Sequence, residues 1–83
     1  MITELKPIYS NQKSFYGKAI ILEEGNGKLL KSYETIVASI DENGNFHKEW
    51  EGWSHTAANH INEFRQQNGL EKITKKEWDN MEI

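Results

Sequence analysis

The order of apolar and polar positions divides this chain into a β-rich first part and a helical last third. Residues 15–22 are aromatic and β-branched enough to read as a strand, and they end in the run Ala19-Ile20-Ile21-Leu22. Gly25-Asn26-Gly27 follows, suited to the positive φ angles of a hairpin turn. A second strand is predicted over residues 29–40. Strict alternation would place Ile36, Ala38 and Ile40 on one face, with Tyr33, Thr35, Val37 and Ser39 on the other. Asp41-Glu42-Asn43-Gly44-Asn45 contains Asn-Gly, the preferred type I′ pair, so a third strand over residues 46–51 should return antiparallel. Residues 1–13 read as a leader without assigned structure, broken by Pro7 and Ser10-Asn11-Gln12.

The period then changes from two to between three and four. Ser54 is a good N-cap, and Ala57, Ile61 and Phe64 form an apolar stripe on a helix running to about residue 68. Gly69 stands where a left-handed residue closes a helix, and Leu70 can fold back towards Phe64. Thr74-Lys75-Lys76-Glu77 is a capping box, with Ile73 and Trp78 as its hydrophobic staple. The fold expected is α+β: a three-stranded antiparallel meander packed on one long helix, with a short C-terminal helix. Residues 1–83 form one domain, with the leader at 1–13, the meander at 14–51 and the two helices at 54–82.

Composition narrows the function. A chain of 83 residues buries only about 60–65% of its unfolded surface, enough for one small core. There is no cysteine, so neither a disulfide nor a thiolate metal site is available. No signal-like or membrane-length apolar run occurs, and the expected setting is the cytoplasm. Formal net charge is −3, with most lysines scattered and only Lys75-Lys76 adjacent. Counterion release on nucleic acid needs clustered cations, so such a partner is disfavoured.

No catalytic, cofactor or metal site is expected. His55 and His60 are five residues apart, which on a helix separates them by about 140°. His60 and Glu63 are spaced for ligation, yet two ligands do not make a site. Ser54 fits a cap better than a nucleophile, since no G-x-S-x-G elbow surrounds it. Glu23-Glu24 and Asp41-Glu42 sit at turns, where carboxylates are simply solvated. Gly25-Asn26-Gly27-Lys28 lacks the spacing and the following helix of a phosphate loop.

The aromatic residues hold more promise. Trp50-Glu51-Gly52-Trp53 places two indoles at a strand-to-helix corner. They either cap the core or form an exposed anchor of the kind that dominates interfaces. The residues expected to touch a partner are Trp50, Trp53, Glu49, Glu51 and Glu63. Tyr9, Phe15, Tyr16 and Tyr33 would extend such a surface. An alternative is a small nucleic-acid-binding or regulatory module that stacks bases on an aromatic sheet face, helped by Lys75 and Lys76. An antiparallel edge strand also leaves homodimerisation open.

Residues 33–40, Trp50-Glu51-Gly52-Trp53-Ser54-His55-Thr56, His60-Ile61-Asn62-Glu63-Phe64, Gly69-Leu70 and Lys75-Lys76-Glu77-Trp78 together carry a likeness. Over residues 33–78 the chain resembles small uncharacterised proteins of bacteriophages and mobile elements. That resemblance implies no catalytic residues. It implies instead a protein that binds and inhibits a host protein in the host cytoplasm, anti-CRISPR inhibitors being one such class. An acidic surface would then occupy a basic nucleic-acid channel on its target.

Overall fold

A computed structural model describes residues 1–9 and 18–83. Its strands are β1 (Ile2–Glu4), β2 (Ala19–Glu24), β3 (Gly27–Ser32), β4 (Thr35–Ile40) and β5 (Phe46–Lys48). Helices α1 (His55–Gln67) and α2 (Lys75–Asn80) follow. The strands lie side by side in chain order, each antiparallel to the next, in one five-stranded sheet. The α+β class, the antiparallel meander and both helices are as expected. The number of strands is not.

The predicted strand over residues 29–40 is two strands, because the chain reverses at Tyr33-Glu34 and pairs Ser32 directly with Thr35. Tyr33 stands at φ 55°, the only described non-glycine residue with left-handed backbone. A two-residue hairpin needs positive φ at its first central position, where glycine is the usual occupant. Tyrosine gives no such signal, which is why alternation ran straight through the turn. The N–H of Tyr33 donates to the Lys18 carbonyl at 2.7 Å, and its ring tilts against His60 at 6.1 Å. These contacts hold a conformation that costs an L-residue about 1–2 kcal/mol.

The other added strand lies in the supposed leader. Ile2–Glu4 pairs with β2, and Leu5 beyond it is buried. The N–H of Leu5 donates to Ala19 O and that of Glu23 to Met1 O, both at 2.8 Å. Three residues are too few to show alternation, and Pro7 concealed them further. The strand expected over residues 15–22 runs instead over Ala19–Glu24, with residues 15–17 outside the described residues. β5 is shorter than the expected 46–51.

Two local devices shape the sheet. The turn before β5 is wider than a two-residue type I′ reversal, and only Gly44 takes a positive φ. Asp41 Oδ1 accepts from the N–H groups of Asn43 and Asn45, both at 2.9 Å, so an aspartate carboxylate organises this loop. Between β3 and β4, pairing steps from Leu30–Ala38 to Lys31–Ile36, leaving Val37 as a bulge. The bulge breaks the expected alternation. Ile36 leaves the face of Ala38 and Ile40, while Val37 and Ala38 are both buried.

The helical signals act as read. Ser54 Oγ accepts from Ala57 N at 3.1 Å, and Thr74 and Glu77 exchange both bonds of the capping box. The N–H groups of Gly69 and Leu70 donate to Gln66 O and Arg65 O, closing α1 in a Schellman motif. Ile61 and Phe64 of α1 and Trp78 of α2 then pack on Leu5, Ile21, Leu30, Val37, Ala38 and Ile40. Each such large side chain contributes about 1.5–3 kcal/mol through burial. All of this core lies on one face of the sheet.

Two predictions follow from these turns. Tyr33→Gly should raise stability by about 0.5–1 kcal/mol, strain relief exceeding the entropy glycine adds to the unfolded chain. Urea midpoints at constant m-value test this, and a lower midpoint would show that ring packing outweighs the strain. Asp41 is held at about pKa 2, below 3.8, chiefly by its bond with His47 and then by Asn45 and Asn43 N–H. A lowered folded-state pKa stabilises above the ordinary value and ceases to do so as pH falls through the lowered one. Protection of the Asn43 and Asn45 amides, measured relative to their intrinsic exchange rates, should therefore fall as pH drops from 3.8 towards about 2, and Asp41→Asn should abolish that step.

Candidate functional site

Of the two tryptophans proposed as anchors, Trp53 meets a third, Trp78, while Trp50 packs against the same core. Trp78 is fully buried; its Nε1 donates to Gly52 O at 2.8 Å, and its ring centroid lies 5.6 Å from that of Trp53. Phe46 meets the same indole at 6.3 Å, edge to face. Trp50 folds back over the chain so closely that a Cβ on Gly52 would come within 2.3 Å of its ring. Glycine is therefore required at position 52 by lack of space. Trp50 and Trp53 are half-buried and pack against the core, so most of each indole serves the strand-to-helix corner.

Three buried polar side chains are engaged with the fold itself. Lys48 is 2% exposed, and its Nζ donates to Trp78 O at 3.0 Å and Met81 O at 3.2 Å. It thus supplies donors to the carbonyl end of α2, adding to the Met81 N–H at Trp78 O and reaching Met81 O beyond it. Glu63 is 1% exposed; its carboxylate accepts from Ile8 N, Tyr9 N and Gln67 Nε2. It straps the segment after β1 onto α1. This corrects its assignment as a partner contact, since its oxygens point inward. His60 is buried with its Nδ1 2.7 Å from Ser32 Oγ.

The remaining acids of the expected site are outside. Glu49 is exposed and accepts from Ser39 Oγ at 2.6 Å, while Glu51, 76% exposed, lies 3.6 Å from Lys48 Nζ. No group of three or more His, Cys, Asp or Glu residues that could hold a metal occurs among the described residues. Ser54 is used as a helix cap. Among the described residues no helix is long and apolar enough to cross a membrane.

Sequence reasoning missed the sheet face turned away from the helices. Register places Ile2, Leu22, Leu29, Ser39 and His47 in one row across the sheet, and Glu4, Ile20, Lys31 and Ile36 in the next. The aliphatic members of these rows are half-buried or exposed, Leu29 at 37%. The signal was present in Ala19-Ile20-Ile21-Leu22, since a continuous apolar strand has two apolar faces. This face is largely aliphatic, and no described Phe, Tyr or Trp takes a place in either row. Phe15 and Tyr16, named for an aromatic face, lie outside the described residues. Lys75, named with them, is bonded to Asp79 at 2.6 Å.

The role of Lys48 is testable. Lys48→Met should cost about 1–2 kcal/mol, because the part-buried Met81 carbonyl loses its donor and that of Trp78 keeps only the Met81 N–H. Hydrogen exchange should show α2 opening before α1, a helix of six residues being too short to persist unaided. Unchanged protection in α2 would mean that Trp78 packing alone holds it.

No curated protein and no solved structure matches the chain. One family model does, over residues 3–80, nearly the whole length. The chain belongs to DUF8033, a family of unknown function.

Proposed function

We propose that the chain is a non-enzymatic binding protein that acts by stoichiometric contact with a basic surface of a protein partner. One observation carries this reading: among the described residues every acid but Glu63 and Asp41 is exposed, while Lys48, Lys28, Lys31 and Arg65 are drawn at least partly into the fold. Lys48 is buried, Lys28 Nζ donates to Asn68 at 2.7 Å, Arg65 lies over the Phe46 ring, and Lys75 is paired. Glu24, Glu42, Glu49 and Glu51 remain exposed. The field at long range is thus that of an acidic protein, which speeds encounter with a basic partner and repels phosphate backbones. The likeness to phage and mobile-element proteins supplies the narrower form of the proposal, an inhibitor that blocks the nucleic-acid channel of a host protein, as anti-CRISPR proteins do.

The test is affinity capture of the tagged protein from bacterial lysate, with and without nuclease, at low and high salt, read by mass spectrometry. The expected result is one protein retained after nuclease treatment and lost at high salt, where exposed charges are screened. Recovery that vanishes with nuclease would instead establish the nucleic-acid-binding alternative. Capture indifferent to salt would remove the charge component.

A further inference from the structure

We infer that the open face of the sheet receives a basic, amphipathic helix of a protein partner, which completes a third layer opposite α1. The inference rests on the partner-binding reading and names its surface and the chemistry of the occupant. Its first support is the construction of β2. Ala19 and Ile21 enter the core, while Ile20 and Leu22 point the other way and meet Lys31 and Leu29 across the strand pair. A strand apolar on both faces belongs to a sheet covered on both. Among the described residues only one face is covered.

Charge decides what fits there. Between the β2–β3 and β4–β5 turns a shallow groove has Leu22, Leu29 and Ser39 as its floor and Glu24, Asp41 and Glu42 as its rim. Glu49 adds a carboxylate along the β5 side, where it holds Ser39. The described cations at this face and groove are already engaged: Lys28, which also lines the groove, donates to Asn68 on α1 at 2.7 Å, Lys31 lies 3.9 Å from Glu34, and His47 lies 2.8 Å from Asp41. An aliphatic floor inside an acidic rim suits a ligand with an apolar stripe and flanking Lys or Arg. A second copy of this chain would set acid against acid, and nucleic acid would set acid against phosphate.

Backbone geometry selects a helix over a strand. β2, β3 and β4 are each paired on both edges, so their main-chain groups cannot accept another strand. The face offers side chains alone, which is how an amphipathic helix is recognised, through residues three and four apart. Five strands about 4.8 Å apart give a surface roughly 20 Å wide, room for one helix about 10 Å across.

The experiment uses the whole chain, ¹⁵N-labelled, with a synthetic amphipathic helix of leucine and lysine. A peptide with the same leucines but glutamate for lysine, and a single-stranded oligothymidine, serve as controls. The lysine peptide should shift the amides of Leu22, Gly25, Leu29, Ser39 and Glu42, and its affinity should fall on the order of tenfold with Leu29→Glu. Leu29→Ser, gentler on folding, should weaken binding in the same direction, as should Glu42→Lys. Shifts centred on Trp50 and Trp53, equal binding of both peptides, or binding indifferent to all three substitutions would overturn the inference. So would binding of the oligonucleotide at this face, or a dimer in sedimentation that Leu29→Glu dissociates. A nuclease-resistant protein still captured from lysate by Leu29→Glu would sink this surface while leaving the partner-binding reading intact.

Discussion

The insertion of Trp78 into the far end of the core is the interaction on which the second half of the structure depends. A helix of six residues has little stability of its own. Trp78 gives it a place by filling the space beside Phe46 and Trp53 and donating its indole N–H to Gly52. Lys48 completes the arrangement from β5, holding the carbonyls of Trp78 and Met81 with its ammonium beside the same ring. Strand end, corner and C-terminal helix are therefore one packed unit. Trp53 packs directly against Trp78 within it.

This arrangement bears on function through what it consumes. An ammonium buried at Lys48 and a carboxylate buried at Glu63 would each be costly without partners. Both are satisfied by backbone groups of segments that would otherwise be loose, the end of α2 and the stretch at Ile8-Tyr9. Such groups serve connectivity: each ties together parts of the chain far apart in sequence. What remains is the outward surface, where acids surround an aliphatic sheet face, the surface proposed for a partner. Recognition through that surface would need no movement of the core.

Register shows how a small irregularity sets this division. Without the bulge at Val37, alternation along β4 would have kept Ile36 with Ala38 and Ile40. One extra residue turns Ile36 to the open face and adds Val37 to the core. The two faces thus exchange one aliphatic side chain, Ile36 going to the open face and Val37 to the core. A period-two pattern cannot report this, because the extra residue is detectable only against the partner strand.

The caps of both helices, the Schellman closure, the turn regions around Gly25 and Gly44 and the apolar stripe of α1 were legible from the chain alone. Each depends on residues within a few positions of one another. Corner tryptophans as core-capping side chains were legible too, as one of two readings. Tertiary structure alone decided the reversal at Tyr33, the edge strand at Ile2–Glu4 and the bulge at Val37. It also decided the inward turn of Glu63 and the aliphatic open face. These features arise from contacts across long stretches of sequence: Tyr33 with Lys18 and His60, Glu63 with Ile8 and Tyr9, β2 with both its neighbours. Local chemistry determines where elements start and stop, whereas the choice of face belongs to the pairing of elements that only the folded chain brings together.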